Sequence, residues 1–145
     1  MKGLTPIVKK AAQLMSGIIF IYGIYIVIHG HLTPGGAFAG GILLAGAFIL
    51  LILAFGSEII SLRKEETGSS LSESFAILLA LAVAVLGFFF GTKVFFNNYL
   101  PTGELGELFS AGVIPIYNTL IGIEVAAAVL TIFLALIIFK EEEEQ

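Results

Sequence analysis

The chain has no cysteine, no tryptophan and little charge, and each shortage removes a class of protein. Without cysteine there are no disulfides, no thiolate metal sites and no iron–sulfur ligation, so any redox chemistry must belong to another chain. Without tryptophan, the aromatic residues available for a membrane–water interface are Tyr22, Tyr25, Tyr99 and Tyr117. Charged residues make up 12% of the 145 positions against 58% hydrophobic ones, about half the charge of an ordinary soluble domain, and mean hydropathy is +1.05. These values exclude a soluble globular protein and indicate an integral membrane protein. No basic patch exists to hold nucleic acid. The net charge of −4 carries little information about partners, because Glu141 to Glu144 form a terminal run that reads as a solvated tail.

The hydrophobic content falls into runs. Ala11 to Ile28, Ala37 to Ser57, Phe75 to Thr92 and Ile116 to Phe139 are apolar, broken only by Glu124 in the last. At 1.5 Å per residue each can cross a bilayer core of about 30 Å. The expected architecture is all-α, one membrane domain over 1–145, with helices at about 6–28, 36–60, 74–96 and 116–139 and an acidic tail at 140–145. The first run lacks a small-residue cleavage site and is followed by more apolar chain, which argues against a secretory signal. Glu58 to Glu73 gathers much of the internal charge and reads as a polar loop, with Ser70 to Glu73 as the capping box of the third helix. Asn97 to Gly103 reads as a turn, and a short surface helix or re-entrant piece is expected over Leu105, Leu108 and Phe109. With four spans, Lys2, Lys9, Lys10, Arg63, Lys64 and Lys140 fall on one side and Lys93 on the other, so the positive-inside rule places both termini in the cytoplasm.

Between the first two runs lies Gly30-His31-Leu32-Thr33-Pro34-Gly35-Gly36-Ala37-Phe38-Ala39-Gly40-Gly41. Thr33-Pro34 reads as a helix start, threonine capping and proline first in the helix, as at Thr5-Pro6. The glycines after it leave a bare surface on which another backbone can pack. No strand precedes and no Gly-Lys-Ser/Thr follows, so this is no phosphate loop. This stretch resembles the signature of the B subunit of Mrp (Mnh)-type multisubunit sodium/proton antiporters and of the equivalent subunit in membrane-bound hydrogenase and related respiratory assemblies. It departs at Ala37, where a third glycine is usual. A second block, Phe109-Ser110-Ala111-Gly112, Pro115, Asn118 and Ile121-Gly122-Ile123, is spaced as in that family's second half; Glu124 stands where the family often has a basic residue. The resemblance implies a small, non-catalytic membrane subunit without a cofactor of its own, set among other membrane subunits and working on sodium and protons. In that reading Thr33, Pro34, Gly35, Gly36, Gly40 and Gly41 form a helix-packing signature.

Four residues are candidates for an ion pathway: Glu124, Lys93, His29 and His31. A carboxylate inside a span costs roughly 2.5–3.5 kcal/mol to insert and marks a functional site by default. Tyr117, Ala128, Thr131 and Ala135 share its face, which should meet a helix and not lipid. Glu124 either carries protons or sodium or fixes packing through an ion pair, for which Lys93 is the natural partner. His29 and His31 lie off a common helical face with no cysteine or carboxylate beside them, so they make a weak metal site. Histidine can relay protons near neutral pH, but bonding to the free carbonyls of a helix end is the commoner role. The competing reading of the whole chain is a stand-alone four-helix proton-coupled transporter built around one membrane glutamate.

Overall fold

The computed structural model describes residues 4–56, 62–90, 94–104, 106–108 and 110–143. They form four helices: α1 (Pro6–Ile28), α2 (Gly36–Phe55), α3 (Leu62–Phe90) and α4 (Ile114–Glu143). All four are long and apolar enough to cross a membrane. α1 packs on α2, α2 on α4, and α4 on α3; α1 brushes α4, and α3 meets no described helix but α4. The start of α1 and the ends of α2 and α4 share one end of the bundle. There the Leu4 N–H donates to the Ala54 carbonyl at 2.9 Å, Lys9 Nζ lies 5.5 Å from the Phe55 ring centroid, and Ile52 packs on Leu134.

The core is built from small residues while the bulky ones point outward, the inverse of a soluble bundle and the pattern of helices that associate in lipid. Ala12, Ala37, Ala45, Ala47, Ala54, Ala76, Ala84 and Ala127 are buried, whereas Ile7, Ile21, Phe75 and Leu136 are exposed. The tightest point joins three helices. A Cβ on Gly41 of α2 would lie 2.7 Å from the carbonyl oxygen of Gly122 on α4. One on Gly122 would lie 2.8 and 2.9 Å from the two methyls of Val27 on α1, and one on Gly40 would meet Val27 at 2.5 Å. Only glycine lets these backbones approach so closely.

The helix limits differ from those the sequence suggested. α1 begins at Pro6 as expected, although Thr5 makes no side-chain cap bond. Thr33-Pro34 does not start α2. Thr33 closes α1 instead, its Oγ1 and N–H both donating to the His29 carbonyl at 3.1 and 3.0 Å. The chain then turns through Gly35 (φ 131°), and α2 starts at Gly36 (φ 65°). α2 ends at Phe55, where Gly56 at φ 77° donates its N–H back to Ile52; residues 57–60 of the helix expected to reach 60 lie outside the described residues. α3 is helical from Leu62, well before 74, so Glu65, Glu66 and Glu73 are helical and not in a loop; its described part runs to Phe90, and 94–96 are not helical. α4 runs from 114, two residues early, and carries 140–143 of the expected tail as helix.

The connection from α3 to α4 holds no helix over its described residues; Leu105 and Phe109 of the expected surface helix lie outside them. Asn98 organises it, donating Nδ2–H to the Leu100 carbonyl and accepting from the N–H of Leu100 and Val113 at Oδ1. Its side chain packs directly against Gly112, which sits at φ 63°. Phe96 folds back and stacks on Tyr117, centroids 4.6 Å apart.

Candidate functional site

The seam between α3 and α4 concentrates the polar groups of the membrane interior. On α3, positions 66, 69, 73, 76, 80, 83 and 87 are buried or half-buried, and so are Val113, just ahead of α4, and positions 117, 120, 124, 127, 131 and 134 of α4. Both follow the alternating three-and-four spacing that keeps two helices in contact along their length. The register is fixed at two points. Ser69 Oγ lies 2.7 Å from Thr131 Oγ1, and Ala84 packs with Val113 and Tyr117. Along this register Glu124, one heptad from both Tyr117 and Thr131, comes level with Ala76, and Glu73 lies one turn nearer the chain ends.

Depth follows from α2, which runs parallel to α4. Gly41 is level with Gly122 to Val125 and Ile52 with Leu134, so the midpoint of α2 falls at about Ala127 of α4 and, across the seam, at Glu73. Glu124 stands about one helical turn, 5.4 Å, from that midpoint on the side away from the chain ends. Glu66 lies two turns from Glu73 towards the chain ends. The three carboxylates are half-buried, and none has a hydrogen bond or ion pair among the described residues. Ser69 and Thr131 sit between them, each also donating back to its own helix, to Glu66 O at 3.1 Å and Ala127 O at 2.9 Å. Two hydroxyl protons thus serve three short contacts, and the pair can present an oxygen lone pair to a passing cation.

Lys93 lies outside the described residues, and its expected pairing with Glu124 with it; Glu124 is level with Ala76, deep in α3, not with the described end at Phe90. The two histidines separate. His29 takes the helix-end role, Nδ1 bonding to the Tyr25 carbonyl at 3.0 Å and the ring stacking on Tyr25 at 4.2 Å. His31 does not: both ring nitrogens are buried without a partner among the described residues, as is Asn118 Nδ2 of α4. That amide lies 3.0 Å from where a Gly30 Cβ would stand. Gly40 lies against Val27 of α1 and Gly41 against Gly122 and Val125 of α4, while Gly35 and Gly36 lie at the turn with positive φ. No three His, Cys, Asp or Glu side chains converge as a metal site among the described residues. Glu66 and Glu73 were missed by sequence reasoning, which took their charge density for a loop; the heptad 66, 69, 73, 76 was the signal available.

Comparison with known proteins agrees with this architecture. An uncharacterized protein of Methanocaldococcus jannaschii is 37% identical over 134 residues, covering 88% of this chain and 50% of its own length. A Staphylococcus aureus (strain Newman) protein named for antiporter subunit mnhB2 is 31% identical over 144 residues, covering 94% of this chain and 96% of its own. A chain in the structure of the membrane-bound sulfane sulfur reductase, an archaeal respiratory membrane complex, superposes with a TM-score of 0.73 at 36% identity, over 89% of this chain and 56% of that one. The present chain thus spans about half the length of the first and third. The profile described as "Domain related to MnhB subunit of Na+/H+ antiporter" matches residues 7–131, nearly the whole membrane bundle, and the chain belongs to that family.

Proposed function

We propose that this protein is a small subunit of the ion-translocating module of an Mrp-type sodium/proton antiporter, or of a respiratory complex that contains such a module. In this reading the chain holds no cofactor and performs no catalysis itself. Both termini lie in the cytoplasm in this reading, which the distribution of basic residues supports; the exposed apolar faces meet lipid and other membrane subunits, and the α3–α4 seam carries protons or sodium from the cytoplasmic side towards Glu124. The observation that carries the proposal is the pair Glu73 and Glu124, half-buried near the middle of the bundle on one seam and without an ion-pair partner among the described residues. Carboxylates at that depth are costly, and facing a protein seam they mark an ion path. Lone packing carboxylates would be expected to have found a cation.

The test is sodium-driven proton movement in vesicles containing the intact complex. Glu124→Gln and Glu73→Gln should each lower the rate by about a hundredfold, the lower range for loss of a positioned proton carrier, while the complex still assembles. Wild-type exchange with either variant would refute the route. The stand-alone transporter reading has no support in the family to which the chain belongs.

A further inference from the structure

α1 and α2 stand apart from α3, and the space between them is a groove of about 280 Å³ floored by α4. One wall is Phe20 and Phe48, packed edge to face at 5.7 Å; the other is the flank of α3, with Glu65, Gly68 and Ser72. We infer that this groove seats one transmembrane helix of a different membrane subunit, bearing a lysine or arginine at the level of Glu65 and small or unbranched side chains against Gly68 and Ser72.

Gly68 is the first reason. Nothing lies within 4 Å of the position its Cβ would take, and its φ is not positive, so neither turn geometry nor packing inside this chain requires a glycine there. In mid-helix a glycine is less favourable than alanine. Against a neighbouring helix it lets a second backbone come close. The second reason is charge. Glu65 is exposed in the groove with no ion pair among the described residues. An acyl chain gains nothing from a carboxylate and two serines, and a lipid phosphate is repelled by the acid. A cationic side chain on an apolar helix complements both features. The third reason is that α3 is held by α4 alone among the described helices, leaving this flank for another element to cover.

The inference deepens the subunit reading by naming the surface through which the chain joins its complex. It is tested in the assembled complex with two variants. Because the chain has no native cysteine, Ser72→Cys gives it one thiol, exposed on the groove, for a benzophenone maleimide. Illumination should link it to an apolar segment of another subunit that contains a basic residue. In Gly68→Leu the added Cβ meets nothing within 4 Å and the position is exposed on the groove, so the subunit should insert and melt as wild type, yet recovery of the other membrane subunits with it should fall at least about tenfold. A link to a second copy of this chain, or to lipid alone, overturns the inference, as does full recovery with Gly68→Leu. If the leucine variant fails to insert, the crosslink from position 72 alone decides. A complex that exchanges no sodium for protons but gives the expected link would sink the transport reading and leave this interface standing.

Discussion

The contact of Val27 with Gly122 allows a stringent test of the three-helix packing. The two Val27 methyls lie 2.8 and 2.9 Å from the Cβ that Gly122→Ala would add, against an optimal carbon–carbon separation of about 3.5–4.0 Å. Relief requires a shift of nearly 1 Å. A β-branched side chain held to one helical rotamer cannot swing aside, so the backbones must part, at an overpacking cost of about 1–3 kcal/mol. Val27→Ala alone removes both methyls and costs about 1–2 kcal/mol as a large-to-small change. In the double variant the methyl added at position 122 enters the space the valine vacates. The combined loss should therefore fall short of the sum of the singles by about 1–3 kcal/mol, the range for side chains in direct contact. Gly41→Ala provides the contrast, because its Cβ meets the Gly122 carbonyl oxygen at 2.7 Å, an atom that Val27→Ala does not remove. It should stay unrescued by Val27→Ala. Reversible unfolding in mixed micelles, titrated with a denaturing detergent and followed by circular dichroism, reads all of these. A neutral Gly122→Ala, or strict additivity with Val27→Ala, would refute the packing.

Two further outcomes follow from the polar contacts and are read by the same unfolding assay. Each buried polar atom without a partner costs about 1–3 kcal/mol, so His31→Leu should leave stability unchanged or raised. His29→Leu, which loses a hydrogen bond and a ring stack, should lower it by about 1 kcal/mol; a larger loss with His31→Leu would show that its nitrogens are bonded. Ser69→Ala and Thr131→Val should each loosen α3 from α4 by about 0.6 kcal/mol, with about 1.7 as the ceiling for such bonds in membranes. Together they should do no more harm than the worse of the two, and additive losses would rule out the shared contact.

The existence of four spans was legible in the sequence because uncharged runs of bilayer length have one physical outcome. The bare surface of Gly40 and Gly41 was legible for a similar reason, since glycine in mid-helix is unfavourable unless something comes close. The start of α3 was not. Glu65, Glu66 and Glu73 raise local charge enough to imitate a loop, and Ser70 to Glu73 imitates a capping box, while the heptad that makes Leu62 to Glu73 helical becomes decisive only once α4 lies alongside. Thr33-Pro34 misled in the same local way. A threonine before proline suits a helix start, but the nearest unsatisfied group was the carbonyl of His29 behind it. Which helices pair was beyond the sequence, because α2 and α4 come closest at Gly41 and Gly122, which carry no charge or side-chain code. The face of Glu124 was readable from Tyr117 and Thr131, whereas the companions Glu66 and Glu73 came from a segment assigned to water.

The order of packing bears on how the protein is made. α3 emerges from the ribosome before α4, its one neighbour among the described helices, and it carries its acidic residues into the translocon with nothing yet to shield them. α3 is apolar enough to cross the bilayer by itself, but its packing inside this chain waits for α4, which joins it to the α1–α2 pair. Chains truncated just after residue 104 should therefore still span the membrane with α3, yet leave it unpacked against α1 and α2, which crosslinking between cysteines placed on the three helices would read.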